Sequence, residues 1–132
     1  MASAQLRLVT VVLEVMDLDA SVRLYRDGFG LELHVTDHGG GDHGEGDRWI
    51  SGRHAATTWT DGAFLHFALY ESKGERTSGA QVAFRVNDIA TAHAMAVAAG
   101  AEVLHPPRAE PWGTSARYRD LDANVIELTQ LA

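Results

Sequence analysis

One internal repeat constrains the fold of this chain more than any other feature. The run Leu13-Glu14-Val15-Met16-Asp17-Leu18-Asp19-Ala20-Ser21 returns as Phe84-Arg85-Val86-Asn87-Asp88-Ile89-Ala90-Thr91-Ala92, seventy-one residues later. Each copy reads as an alternating strand, an Asp, a helix, a Gly (Gly30 or Gly100) and a second strand. A half-chain of about 60 residues buries too little apolar surface to be comfortably stable. The 132 residues are therefore read as one compact domain built by duplication, with module one at about 6–72 and module two at about 79–130.

The periodicities place the remaining elements. In Leu8 to Val15, apolar Val9, Val11, Leu13 and Val15 alternate with Thr10, Val12 and Glu14, the mark of a strand with one packed face. Asp17 or Asp19 can cap a helix whose Leu18, Val22, Tyr25 and Phe29 share a side, and Gly28 and Gly30 end it. A strand is predicted over Leu31 to Thr36. The segment Asp37 to Asp47 has five glycines, which predicts a mobile loop and a lid beside the cleft. Strands follow within Arg48 to Thr60 and from Ala63 to Tyr70, joined at the turn signal Asp61-Gly62. Glu71 to Gly79 reads as the linker. Module two repeats the order with a strand at Gln81 to Val86, a helix at Ile89 to Ala99 and a strand at Glu102 to His105. A Pro-rich turn at Pro106 to Pro111 then leads to strands at Ser115 to Arg119 and Asn124 to Thr129. The order is β-α-β-β-β, twice. His93, on an Ala-rich helix, is expected to face solvent.

Composition narrows the partners. Eleven Lys and Arg against eighteen Asp and Glu give a net charge of -7, which repels a phosphate backbone, so no nucleic-acid partner is expected. No apolar run reaches the roughly 20 residues of a membrane helix, and Met1 to Leu6 lack the pattern of a leader. No membrane association is expected. The absence of cysteine removes disulfides and thiolate chemistry and suits a reducing cytoplasm. Any metal must then be held by His, Asp or Glu.

With these elements in place, the chain resembles the vicinal oxygen chelate superfamily, the glyoxalase/bleomycin resistance protein/dioxygenase group, over about residues 6 to 130. The resemblance is carried by Val15-Met16-Asp17-Leu18-Asp19-Ala20-Ser21 with Tyr25 and Gly30. In module two it rests on Glu110-Pro111-Trp112-Gly113 and Arg119-Asp120-Leu121-Asp122-Ala123-Asn124-Val125-Ile126-Glu127-Leu128. The closing motif usually has Pro and Gly where this chain has Leu121 and Ala123, a change to the turn. The resemblance implies an α+β fold of two tandem βαβββ modules whose curled sheets enclose a cleft, and a homodimer.

It also implies where a divalent metal sits in members that use one. Carried over by the repeat register, the four positions are Thr10, His66, Gln81 and Glu127. Strand alternation puts His66 on one face with Phe64, Ala68 and Tyr70, and Glu127 with Val125 and Thr129. Only His66 and Glu127 are good ligands, and Fe, Mn, Ni or Zn would be the candidates. Thr10 and Gln81 are neutral.

Other residues suit a ligand of a different kind. Trp49, Trp59, Phe64, Tyr70, Trp112 and Tyr118 offer flat apolar walls, about half of them expected on the cleft face. Arg85 can pair with Glu14, its opposite in the repeat, or receive an anionic ligand; Arg117 or Arg119 can anchor a polar group. There is no Gly-x-Ser-x-Gly elbow, phosphate loop or dinucleotide fingerprint. Two functional classes remain. One is a binding protein, without cofactor, that sequesters a small aromatic or conjugated molecule in a resistance role. The other is a metal-dependent lyase, isomerase or dioxygenase built on His66 and Glu127, or a metal-free variant with Glu127 as the catalytic proton acceptor.

Overall fold

The computed structural model describes residues 6–37, 43–45, 48–50, 53–62, 64–72 and 74–132, the side chains of 43–45 and 48–50 excepted. The order is β1 (Thr10–Val15), α1 (Leu18–Arg23), β2 (His34–Asp37), β3 (His43–Glu45), β4 (Arg48–Ile50), β5 (Arg53–Trp59) and β6 (Leu65–Glu71), then β7 (Gln81–Arg85), α2 (Ile89–Ala98), β8 (Glu102–Glu110), β9 (Gly113–Arg119) and β10 (Val125–Leu131). The two modules form equivalent four-stranded sheets, β1-β6-β5-β2 and β7-β10-β9-β8. In each, the first strand is an edge strand parallel to the last, and the other neighbours are antiparallel.

The repeat holds at the level of single hydrogen bonds. Asp17 accepts from the Ala20 N–H at 3.0 Å to cap α1, and Asp88 accepts from the Thr91 N–H at 3.1 Å to cap α2. α1 runs on into a π-helical turn over Leu24–Gly28. Both helices are followed by a glycine in the left-handed region, Gly30 at φ 73° and Gly100 at φ 87°.

The two helices lie between the two sheets. α1 packs on β5 and β6, α2 on β8, β9 and β10, and the π-turn packs on α2. Alternation sends Leu13, Val15, Phe67 and Leu69 from the first sheet, and Ala116, Tyr118, Ile126 and Leu128 from the second, into one shared core. Ring contacts cross between modules: Phe67 meets Phe84 at 5.7 Å, Trp59 meets Phe84 at 6.2 Å and Phe29 meets Tyr118 at 5.5 Å. Each half covers the apolar surface of the other, as the size argument requires.

A polar network ties the closing turn of module two to module one. The Tyr25 hydroxyl donates to Asp120 at 2.6 Å, and the Asp122 and Asn124 N–H groups donate to the other Asp120 oxygen at 2.9 and 2.8 Å. Asn124 accepts from Ala80 N–H and donates to the Thr77 carbonyl, while Thr77 bonds both the N–H and the C=O of Glu14. The linker is thereby stitched along part of the free edge of β1.

Asp122, in the same turn, is buried, and that burial raises its carboxyl above the ordinary range despite the Met16 N–H and Arg76 beside it. A folded value above the unfolded one favours the neutral acid. Its contribution is therefore fully present below the unfolded value and is lost as pH rises through the folded one. Asp122→Asn, which keeps an acceptor for Met16, is expected to raise the melting temperature relative to the parent at pH 7 and to lose that advantage near pH 3. An advantage equal at both pH values would count against a buried, raised Asp122.

Four local expectations are corrected. Residues 102–110 form one nine-residue strand instead of a short strand and a Pro-rich turn. β8 is an edge strand whose register shifts between His105 and Arg108 and leaves Pro106 and Pro107 without a partner on β9, so their missing N–H groups cost no ladder bond. Within the Gly-rich segment β3 forms and pairs antiparallel with β4 just after it; residues 38–42, 46 and 47, and with them the lid expectation, lie outside the described residues. β2 begins at His34, three residues later than predicted. His93 is half-buried and hydrogen-bonded to the Tyr118 hydroxyl at 2.7 Å, because α2 packs that side chain onto β9.

Candidate functional site

Since both sheets bury their helix-facing sides in the same core, their opposite faces point outward. The strand registers read out those faces in rows. On the first sheet Thr10, His66 and Thr58 lie abreast, then Val12, Ala68, Ala56 and His34, then Glu14, Tyr70, His54 and Thr36. On the second sheet Gln81, Val125, Arg119 and Glu102 lie abreast, then Ala83, Glu127, Arg117 and His105, then Arg85, Thr129, Ser115 and Arg108. His66 and Glu127 do share the faces that alternation assigned them. Within one chain, however, those faces belong to different sheets and do not look at each other.

The first face is a shallow floor of small side chains with one flat wall. His54 stacks on Tyr70 with ring centroids 4.8 Å apart and planes 13° from parallel. His66 Nδ1 lies 2.9 Å from Thr58 Oγ1. Thr10 is exposed at the start of the edge strand. The second face is dominated by ion pairs. Arg117 Nε meets Glu127 at 3.3 Å, Arg108 meets Glu110 at 2.9 Å, and Arg119 pairs with Glu102. The Arg108 and Ser115 hydrogen bonds hold the Glu110 carboxyl below its ordinary value.

Other expected site residues fall elsewhere. Tyr118 is fully buried in the core instead of lining a cleft, and its burial pushes the hydroxyl upward. Trp59 packs on the core side against Phe84. Phe64 precedes β6 and is 51% exposed, while Trp112, 43% exposed, caps the β8–β9 turn. Trp49 belongs to β4, whose side chains lie outside the described residues. Arg85 and Gln81 are exposed on β7. Among the described residues no ion pair joins Arg85 to Glu14. The pairing of Glu127 with Arg117 was missed, as was the His54–Tyr70 stack. Both were open to a register argument, since Glu127 faces Arg117 and His54 faces Tyr70 across neighbouring strands.

The donors fit a divalent metal poorly. Among the described residues no three His, Asp or Glu side chains gather as a ligand group. Of the four positions implied by the repeat, two carry neutral side chains, and the Glu127 carboxylate is already engaged by a guanidinium.

A crevice of about 520 Å³ opens between the sheets on the side of the two edge strands, with Val11, Phe29, Trp59, Phe67 and Phe84 among its apolar lining and Asp61 and Arg85 among its polar lining. On its two sides the edge strands have backbone groups with no neighbouring strand among the described residues. In β1 these belong to Thr10 and Val12, because alternate residues bond β6 and Glu14 is taken by Thr77. Exposed Leu8, Val9 and Phe64 continue the apolar surface beyond the start of β1. No helix among the described residues is long and apolar enough to cross a membrane.

Comparison with known proteins agrees with this architecture. The family model described as Glyoxalase/Bleomycin resistance protein/Dioxygenase superfamily matches residues 7–128. Among solved structures, TioX from Micromonospora sp. ML1 is 20% identical with a TM-score of 0.68, over 96% of this chain and 99% of that one. TnmS3, an antibiotic binding protein from Streptomyces sp. CB03234, is also 20% identical with a TM-score of 0.68, over 99% and 100%. A glyoxalase/bleomycin resistance protein from the same Streptomyces is 23% identical with a TM-score of 0.67, over 94% and 100%. At such identities the likeness speaks for the fold alone. No curated protein matches the sequence.

Proposed function

The chain belongs to the glyoxalase/bleomycin resistance protein/dioxygenase superfamily, and from that premise we propose that it sequesters a small aromatic or conjugated molecule in a cleft completed by a second copy. The outer face of the first sheet of one copy and the outer face of the second sheet of its partner form the two walls. The observation that carries this reading is the shared core, which turns the two candidate faces of one chain away from each other. A single chain then presents two half-sites.

The open edges of β1 and β7 and the crevice between them supply the means of pairing. Such edges are hazards unless something covers them. A second copy related by a two-fold axis sets β1 against the partner's β7, and β7 against the partner's β1, in one self-complementary contact. It covers the crevice at the same time. The antibiotic-binding role of TnmS3, which shares this fold, supports a sequestering function, and the cysteine-free composition suits work in the cytoplasm. In this reading the His54–Tyr70 stack receives the ring system.

The test is a fluorescence titration with the neutral aromatic probe N-phenyl-1-naphthylamine, alongside a mass measurement in solution. The protein is expected at twice its 14.3 kDa chain mass. Tyr70→Ala is expected to weaken probe binding about tenfold. Unchanged affinity in Tyr70→Ala would remove the first sheet's outer face from the site, and a monomer that binds as tightly would place the site within one chain.

A further inference from the structure

Resting on the cleft just described, we propose that its ligand is an aromatic molecule bearing an anionic group, a carboxylate, sulfonate or phosphate, and that Arg85 receives that group. The outer face of the second sheet carries four arginines, Arg85, Arg108, Arg117 and Arg119, and three carboxylates, Glu102, Glu110 and Glu127. Each carboxylate is taken by one arginine. The fourth guanidinium, Arg85, is exposed and meets no carboxylate among the described residues. Among the arginines of this face, Arg85 alone keeps its guanidinium free of a described carboxylate.

Its position gives the unmatched charge a use. Arg85 sits on the edge strand, beside Thr129 on β10, on the face that forms one wall of the cleft. Its planar fork of donors matches a carboxylate, sulfonate or phosphate in two parallel hydrogen bonds, and Thr129 adds a hydroxyl next to it. The facing wall, from the other copy, offers the flat His54–Tyr70 stack. A ring against that stack with its anionic group turned to Arg85 uses both walls. The net charge of the protein opposes an anion at long range, so any preference for one must come from local contacts.

Two probes with the same ring system separate this inference from the reading beneath it: N-phenyl-1-naphthylamine, which is neutral, and 8-anilino-1-naphthalenesulfonate, which carries a sulfonate. The parent protein is expected to bind the sulfonate about tenfold more tightly than the neutral probe. Arg85→Gln is expected to abolish that preference while leaving affinity for the neutral probe and the dimer mass unchanged. A parent protein without the preference, or an Arg85→Gln variant that keeps it, overturns the anionic assignment while the cleft stands on its binding of the neutral probe. If Arg85→Gln becomes monomeric, Arg85 belongs to the subunit contact and the assignment fails. If neither probe binds the parent protein, the cleft reading falls and takes this inference with it.

Discussion

Asp120→Ala is expected to destabilise the protein by about 3 kcal/mol or more, lowering the melting temperature by roughly 10 °C. The Asp120 carboxylate is the single acceptor for four donors: the Tyr25 hydroxyl, the Asp122 and Asn124 N–H groups and the Asn124 side-chain amide. Tyr25 and Asn124 are fully buried, so little water can replace what the alanine removes. A buried donor left without an acceptor costs about 1–3 kcal/mol. Burial, reinforced by the charge of Asp120, also pushes the Tyr25 hydroxyl above the usual phenol range, so it remains a donor at any accessible pH. The loss spreads, because Asn124 anchors Ala80 and Thr77, and Thr77 holds the edge of β1. Tyr25→Phe, which deletes one of the four donors, should cost only about 1 kcal/mol. Thermal unfolding followed by circular dichroism checks both. If Asp120→Ala melted within two degrees of the parent, the turn would not be the fastener between modules described above.

That network shows what the sequence could and could not disclose. Tyr25 and the Asp120 to Asn124 run stand out as motif residues, but a motif does not say whether its residues touch a ligand or each other. Here Tyr25, Asp120 and Asn124 touch each other. The duplicated β-α-β-β-β order was legible because each strand alternates and each helix has an Asp at its start and a Gly after its end. The faces of His66 and Glu127 were legible for the same reason. Whether those faces meet was not, since alternation is local to a strand, whereas the orientation of one sheet to the other depends on which apolar sides share a core. The same limit explains Tyr118. Its aromatic ring reads equally as a cleft wall or as core, and its place between Phe29 and His93 is decided by how the two modules pack.

Gly113→Ala is expected to cost about 3 kcal/mol, and the reason lies in backbone, not in side-chain packing. Gly113 opens β9 at φ 154°, a conformation that L side chains rarely adopt. A Cβ built there would stand 2.1 Å from the Gln130 carbonyl oxygen, 3.0 Å from the Leu131 Cα and 3.1 Å from the Ala132 nitrogen. None of these atoms can swing aside as a side-chain end can. Relief requires the end of β9 to part from β10, where Gly113 faces Leu131, and puts at risk the Ala132 N–H to Trp112 carbonyl bond of 3.2 Å. The Trp112-Gly113 pair, part of the motif that carries the family resemblance, thus has separable parts. Trp112→Ala removes an exposed ring and should leave the melting temperature within a few degrees, whereas Gly113→Ala should lower it by roughly 10 °C. Equal melting temperatures for the two variants would show that the strand end yields, and the glycine would then have no structural claim on its position.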